Sequence, residues 1–409
     1  MTEENVITAD ADHPEVTVID TREGYLAAVD ALAEGHGPFA VDAERASGFR
    51  YSQRAYLIQV FRRGAGAFLF DPPAIGSFDE LAELMRGEEW ILHAASQDLA
   101  CLREVGLDPE TVFDTELGAR IAGLPRVGLA TVAEELLGVH LAKAHSAADW
   151  STRPLPQGWL IYAALDVELL PDLRDRIAEL LDASDKTEIA RQEFAAVLER
   201  AAPVRQEPWR RLSGMHSLRT PRQLAIARAL WLARDALAQE LDTAPGRLVP
   251  DLSLVAVAKA QPQTKRELAA LKDFTGRASR REIDRWWAAV EAGVADPEPP
   301  SMRGTGDGVP APRLWADKNP EADRRLKLAR AAVTERAEAL AIPVENILTP
   351  ETLRRIAWSP PAEATPEAIA DALRQHDARP WQVEQLAEII ANAFVEARQP
   401  DAVAPEEPS

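Results

Sequence analysis

The chain has 409 residues, 46% hydrophobic and 27% charged, a usage that excludes a disordered or fibrous protein and suggests two or three domains. Its one cysteine, Cys101, excludes an internal disulfide framework and points to a reducing, cytoplasmic setting. The net charge of −20 disfavours loose adhesion to polyanions. No uncharged apolar run approaches the roughly 18 residues of a membrane span, and the acidic start, Met1-Thr-Glu-Glu-Asn, does not read as a signal peptide.

Residues 1–14 are polar and expected to be disordered. Val16 to Ile19 predicts a strand, and Thr21 then predicts the cap of a helix running to about Glu34. Phe39 to Ala43 predicts a second strand. Tyr56 to Phe61 and Ala67 to Phe70 flank Arg62-Arg63-Gly64-Ala65-Gly66, a hairpin signal. A helix over Asp79 to Met85, a strand over Trp90 to His93, a helix over Ser96 to Val105 and a short strand over Val112 to Asp114 follow, with helical periodicity from Thr115 onward. Strands in a meander, then alternating with helices, predict a mixed α/β sheet over 15–202.

After Ala202 the strands stop. Residues 203–292 and 314–398 both read as helical, separated by a Pro/Gly linker over 293–313 and followed by a tail, 399–409. Leu224-x-x-Ala227-Arg228, Pro245, Leu254 and Ala258 recur as Leu326-x-x-Ala329-Arg330, Pro343, Leu353 and Ala357, which predicts a tandem helical module with a diverged second copy. Charge divides unevenly along the chain: net −19 over 1–202, +6 over 203–292 and −7 over 293–409. The basic island, with Arg210, Arg211, Arg222, Arg280 and Arg281, reads as a phosphate-binding footprint or as a solvated helical face. Trp286 and Trp287 read as core packing rather than a base-stacking platform.

Asp42 and Glu44 lie two apart on a predicted strand, so both carboxylates project from one face. Asp98 opens a helix, and Tyr162 and Asp166 share a helical face four residues apart. Taken singly, each acid reads as a surface charge or helix cap and Tyr162 as a core aromatic. Brought together near the sheet core, four acids are costly unless they hold a divalent cation, and without His or Cys spacing they suit Mg²⁺ or Mn²⁺.

Phe39-Ala-Val-Asp42-Ala43-Glu44, followed by Leu57-Ile-Gln59-Val60, resembles the first motif of the DEDD superfamily of exonucleases. His93-Ala-Ala-Ser96-Gln-Asp98-Leu-x-x-Leu resembles the second motif of its ribonuclease D branch, and Phe113-Asp114-Thr115 the segment that follows there. The run from Lys143 through Asp149-Trp150-x-x-Arg153-Pro154-Leu155 to Tyr162-x-x-x-Asp166 is similar to the third motif. The basic helical region resembles the HRDC module. Ala43 departs from the Thr often found between the two acids.

This resemblance implies a ribonuclease H-like α/β exonuclease domain, a mixed sheet flanked by helices, followed by two all-α HRDC-like domains. It implies a metal-dependent 3′–5′ exoribonuclease acting on tRNA or other structured RNA precursors and releasing nucleoside 5′-monophosphates. Asp42, Glu44, Asp98 and Asp166 would hold two divalent ions, Mg²⁺ or Mn²⁺, about 3.5–4 Å apart, and Tyr162 would orient the attacking water. Gln59, His93, Lys143 and Arg153 are candidate nucleic-acid contacts. Their plainer readings are a buried hydrogen-bonded Gln, a strand end for His93 and local pairing with Asp149 for the two cations. Asp114 reads as a helix cap rather than a ligand. The alternatives are a DNA exonuclease in repair, or a catalytically silent nucleic-acid-binding scaffold, which would require a lost metal acid where none is lost. No Walker-type phosphate loop is present, so ATP is not expected as a partner.

Overall fold

The computed structural model describes residues 16–141, 147–200, 206–304 and 309–399. The N-terminal segment expected to be disordered, Lys143 and the tail from residue 400 lie outside them. Alternating apolar residues build a six-stranded sheet from β1 (Val18–Ile19), β2 (His36–Arg45), β3 (Ala55–Arg63), β4 (Gly66–Phe70), β5 (Glu89–Leu92) and β6 (Thr111–Asp114), in the order β1-β4-β3-β2-β5-β6. β2, β3 and β4 form the antiparallel meander, while β5 and β6 continue parallel to β2 and β1 lies parallel to β4. The β3–β4 turn closes through Gly64 (φ +87°) and Gly66 (φ +96°), in a region that side-chain-bearing residues rarely adopt.

The pleat sorts side chains by parity. Phe39, Val41, Ala43, Ile58 and Val60 point into the larger core, whereas Leu57 and Leu69 join Trp150, Leu160 and Ala163 on the opposite face. Nine helices surround the sheet among the described residues: α1 (Arg22–Ala33), α2 (Pro72–Ile75), α3 (Asp79–Leu84), α4 (Leu99–Glu104), α5 (Thr115–Ala122), α6 (Leu129–Leu137), α7 (Gln157–Glu168), α8 (Leu170–Ala183) and α9 (Thr187–Glu199). Thr21 caps α1 as its position predicts, accepting the Gly24 N–H at 3.2 Å. α7 lies across β2, β3 and β4.

The first helical module comprises α10 (Pro221–Leu241), α11 (Pro245–Leu248), α12 (Asp251–Ala260), α13 (Lys265–Ala270), α14 (Arg277–Arg281) and α15 (Ile283–Ala295). The second comprises α16 (Trp315–Lys318), α17 (Pro320–Leu340), α18 (Val344–Ile347), α19 (Pro350–Trp358), α20 (Pro366–Arg374) and α21 (Pro380–Glu396). Each contains a 21-residue helix, α10 or α17, that ends in a left-handed cap, Asp242 (φ 41°) or Ala341 (φ 48°), before a one-turn helix and a longer one. The elements correct the sequence register: α10 and α17, like α12 and α19, begin 99 residues apart, whereas Leu224 and Leu326 stand 102 apart. A slip of three residues is nearly one helical turn and keeps the apolar stripe on one face, so periodicity alone does not reveal it.

The two modules pack differently. α10–α15 enclose their own core around Leu230, Phe274 and Trp286. The second module instead shares one continuous apolar core with the nuclease sheet, from Phe39 and Phe113 to Leu353 and Phe394. Polar contacts seal this junction. Arg379 donates to both oxygens of the buried Glu193 carboxylate, at 2.5 and 2.7 Å, and the Trp381 indole donates to Glu193 Oε1 at 2.8 Å. Lys186, a residue 7% exposed, donates through its ammonium to the carbonyls of Ile121 and Ala341. No helix among the described residues is long and apolar enough to cross a membrane.

Candidate active site

β2 and β5 run parallel at the centre of the sheet, and the crevice beyond their carboxyl ends is where such sheets place ligands. Asp42 and Glu44 occupy alternate positions of β2, opposite Gln59 and Leu57 of β3, so both face α7. α7 returns Tyr162 and Asp166 from one of its faces. Carboxylate oxygens of Asp42, Glu44 and Asp166 lie within 4.8 Å of one another. Asp98 arrives from the turn after β5 and stands outside that trio, 7% exposed. All four acids and Tyr162 line one cavity of about 400 Å³, with Arg45, Ser47 and His93 also in its wall.

Burial is the main cause that raises all four carboxyl pKa values, and repulsion from neighbouring acids adds to it at Glu44, Asp98 and Asp166. Glu44 is pushed up to about 10 by burial and by Asp42, Asp166 and Asp98. The Tyr162 phenol is driven up by burial and by Asp166 and Glu44; it donates a hydrogen bond to Asp166 and stays protonated at neutral pH. A cluster of hard oxygens that repel one another in a half-dry cavity fits divalent cations of the Mg²⁺ or Mn²⁺ class, which would hold the acids ionised together.

Asp114 is the predicted helix cap and does a second job. Its carboxylate accepts the Glu116 and Leu117 N–H groups at 3.0 and 3.1 Å, capping α5, and also the Ala94 and Ala95 N–H groups at 3.0 and 2.9 Å. The latter pair fixes a turn in which Ala94 is left-handed (φ 62°), and that turn delivers Asp98 to the cavity. His93 lines the same wall, with Nδ1 2.9 Å from Thr115 Oγ1. Burial pushes its pKa down to about 4, so it is neutral at physiological pH.

Other predicted contacts fall elsewhere. Gln59 is fully buried beneath the acids, does not line the cavity, and its amide has no partner among the described residues. Arg153 is a structural clamp: it donates to Asp71 at 2.6 Å, and to the carbonyls of Trp150 and Tyr56 at 2.8 Å each. In the basic island, Arg210 lies over the Trp209 ring and pairs with Glu207, and Arg222 donates to the carbonyls of Gly293 and Asp296. These three arginines are occupied inside the fold rather than offered to a phosphate chain. Arg211, Arg280 and Arg281 are exposed. Trp286 is fully buried, as core packing requires.

The sequence reading missed the wall itself. The β2–β3 loop, residues 46–54, is held by the first helical module. Asp242 accepts the Ser52 N–H at 2.9 Å and the Tyr56 hydroxyl at 3.3 Å, the Tyr51 hydroxyl donates to Asp235, and Phe49 O accepts the Ala244 N–H at 2.9 Å. Arg247 donates to Gly48 O at 2.7 Å, with its guanidinium 3.9 Å above the Phe49 ring. These contacts span roughly 190 residues of sequence, and no local pattern announces them.

Three family patterns match along the chain: 3′–5′ exonuclease over residues 16–182, HRDC domain over 223–290, and 3′ to 5′ exonuclease C-terminal domain over 308–394. The second helical module, read from sequence as a diverged HRDC copy, thus matches a pattern of its own. Ribonuclease D of Jannaschia sp. (strain CCS1) is 31% identical over 292 residues, 69% of this chain and 75% of that protein. A crystal structure of a protein from Bifidobacterium adolescentis superposes with a TM-score of 0.86 and 36% identity, over 96% of this chain and all of that one. The structure of Escherichia coli RNase D, described as an exoribonuclease involved in structured RNA processing, aligns with a TM-score of 0.68 and 26% identity over 94% of this chain and all of that one. With the acids assembled as above, this chain belongs to the ribonuclease D family and is a 3′–5′ exoribonuclease.

Proposed function

We propose that the enzyme removes nucleotides one at a time from the 3′ ends of tRNA or other structured RNA precursors, using Asp42, Glu44, Asp98 and Asp166 to hold two ions, Mg²⁺ or Mn²⁺. The observation that carries this reading is the convergence of three carboxylates within 4.8 Å, with Asp98 and Tyr162 in the same cavity. When bound, such ions activate a water and stabilise the leaving 3′ oxygen. The chain's own residues set the rest. Tyr162, protonated and anchored on Asp166, presents its hydroxyl to the attacking water. The neutral His93 offers substrate a ring without adding charge. The exposed Arg211, Arg280 and Arg281 draw in the RNA backbone that the acidic nuclease half repels.

We take 15–202 as the nuclease unit, 203–292 as the HRDC unit and 314–398 as the closing helical unit. A cytoplasmic setting fits the single buried thiol of Cys101. RNA is favoured over DNA because the relatives are named for RNA. The test incubates purified protein with end-labelled single-stranded RNA and DNA of one sequence, with Mg²⁺, Mn²⁺ or chelator. Metal-dependent shortening of RNA from its 3′ end to nucleoside 5′-monophosphates is expected. Equal or faster attack on DNA would favour the repair reading, and internal cuts would overturn the exonuclease assignment.

A further inference from the structure

Arg45 has no part in that scheme, yet it stands inside the cavity. It follows Glu44 at the end of β2, where the ladder slips: Glu44 pairs with Leu57 but Arg45 with Ala55, leaving Tyr56 as the extra residue of a bulge in β3. Bulges re-aim side chains beside active sites. Among the described residues it is the only cation in the cavity wall.

Its guanidinium is conspicuously underused. The side chain is 28% exposed and makes no hydrogen bond among the described residues, and its nearest carboxylate oxygen, Asp98 Oδ1, is 4.0 Å away. Five N–H donors thus lack a close acceptor. Arginines nearby are engaged, as Arg50 is with Ser151 at 2.8 Å and Arg153 with Asp71 at 2.6 Å. If the acids needed Arg45 as a counter-ion, a close bidentate pair would be the expected geometry.

Charge makes the same point. Four ionised carboxylates balance two divalent ions, so an arriving phosphodiester brings a negative charge with no partner, and attack on it adds another. We propose that Arg45 binds the non-bridging oxygens of the phosphate presented to the four acids, as a further substrate-binding residue of this enzyme. The assignment rests on the four-acid reading above. Guanidinium suits the task because its planar fork matches two phosphate oxygens, which an ammonium does not.

The test compares wild type with Arg45→Ala, Arg45→Lys and Asp42→Asn in full-length protein. It measures hydrolysis of a short RNA in Mn²⁺, Mn²⁺ affinity by calorimetry without RNA, and melting temperature without metal. Arg45→Ala is expected to lower kcat/KM about 10–100-fold, the worth of a charge-assisted pair, and Arg45→Lys to recover part of it. Mn²⁺ affinity should be unchanged or higher, because a cation has left the neighbourhood of the acids. Weaker Mn²⁺ binding or a lowered metal-free melting temperature, in step with activity, would make Arg45 a structural counter-ion and overturn the proposal. Wild-type kcat/KM in Arg45→Ala, with Asp42→Asn inactive, would overturn Arg45 alone. Full turnover by Asp42→Asn would overturn the four-acid reading and Arg45 with it.

Discussion

Tyr162 and Asp114 show how differently single side chains serve one cavity. Tyr162→Phe removes only the hydroxyl that rests on Asp166, so hydrolysis should slow about 10²–10⁴-fold while calorimetric metal affinity stays at the wild-type value. Asp114→Ala removes four accepted N–H bonds at once and frees the turn before Asp98. We expect it to lower both the melting temperature and the activity, whereas Tyr162→Phe lowers activity alone. Glu44 carries a pH signature. Its carboxyl lies near 10 in the folded chain against an ordinary 4.5, so the folded state keeps a proton that the unfolded state gives up between those values. Metal-free stability should therefore fall as pH rises from about 4.5 toward 10. Glu44→Gln, or added Mn²⁺, should flatten a melting-temperature series taken from pH 6 to 9; an unchanged slope in Glu44→Gln would remove Glu44 as its source.

At the level of elements, the motif-bearing strands and α7 were legible because their signals are local. Period-two alternation put Asp42 and Glu44 on one face, and the four-residue spacing did the same for Tyr162 and Asp166. Gln59 shows the limit: alternation gives its face but not the depth at which α7 buries it. Arg153 was opaque for a related reason, since its partners Asp71 and Tyr56 lie 82 and 97 residues away. The β2–β3 loop was hidden altogether, because its conformation is dictated by α10 and α11. This gives the first helical module a task besides the RNA binding proposed for it. Asp242→Ala should release Ser52 and Tyr56, loosening the wall formed by Ser47 and Gly48. A several-fold fall in kcat on a short oligonucleotide, too short to reach α14, is the expected reading. Replacing Arg277, Arg280 and Arg281 of α14 by Gln should instead raise KM for long RNA and flatten its salt dependence, with kcat on the short substrate unchanged.

Across the whole molecule, the shared core changes what a truncation means. Read from sequence, the nuclease domain ends near Ala202. In the structure, Trp381, Leu386, Ile390 and Phe394 belong to the same apolar body as the sheet, and Arg379 neutralises a buried Glu193. Cutting after Arg200 would strip that surface, exposing the apolar residues it covers and depriving Glu193 of Arg379 and the Trp381 indole. The fragment is expected to aggregate or melt far below the whole chain by circular dichroism. If it melts at the wild-type temperature, the continuous core contributes no stability. Division of labour between the halves is therefore better tested by point variants in α14 than by removal of the C-terminal half.

The same junction sets a timetable for synthesis. A ribosome makes Asp42, Glu44, Asp98 and Asp166 within the first 166 residues, yet the helix that completes the sheet's larger apolar core ends at Glu396. Domains generally fold as units while the chain emerges, but the apolar body of this nuclease is sealed only once the second helical module has followed. Chains stalled before α21 should be protease-sensitive throughout the sheet and inert toward RNA. An enzyme that trims RNA would thus be withheld from the message still being read until the second helical module has been made.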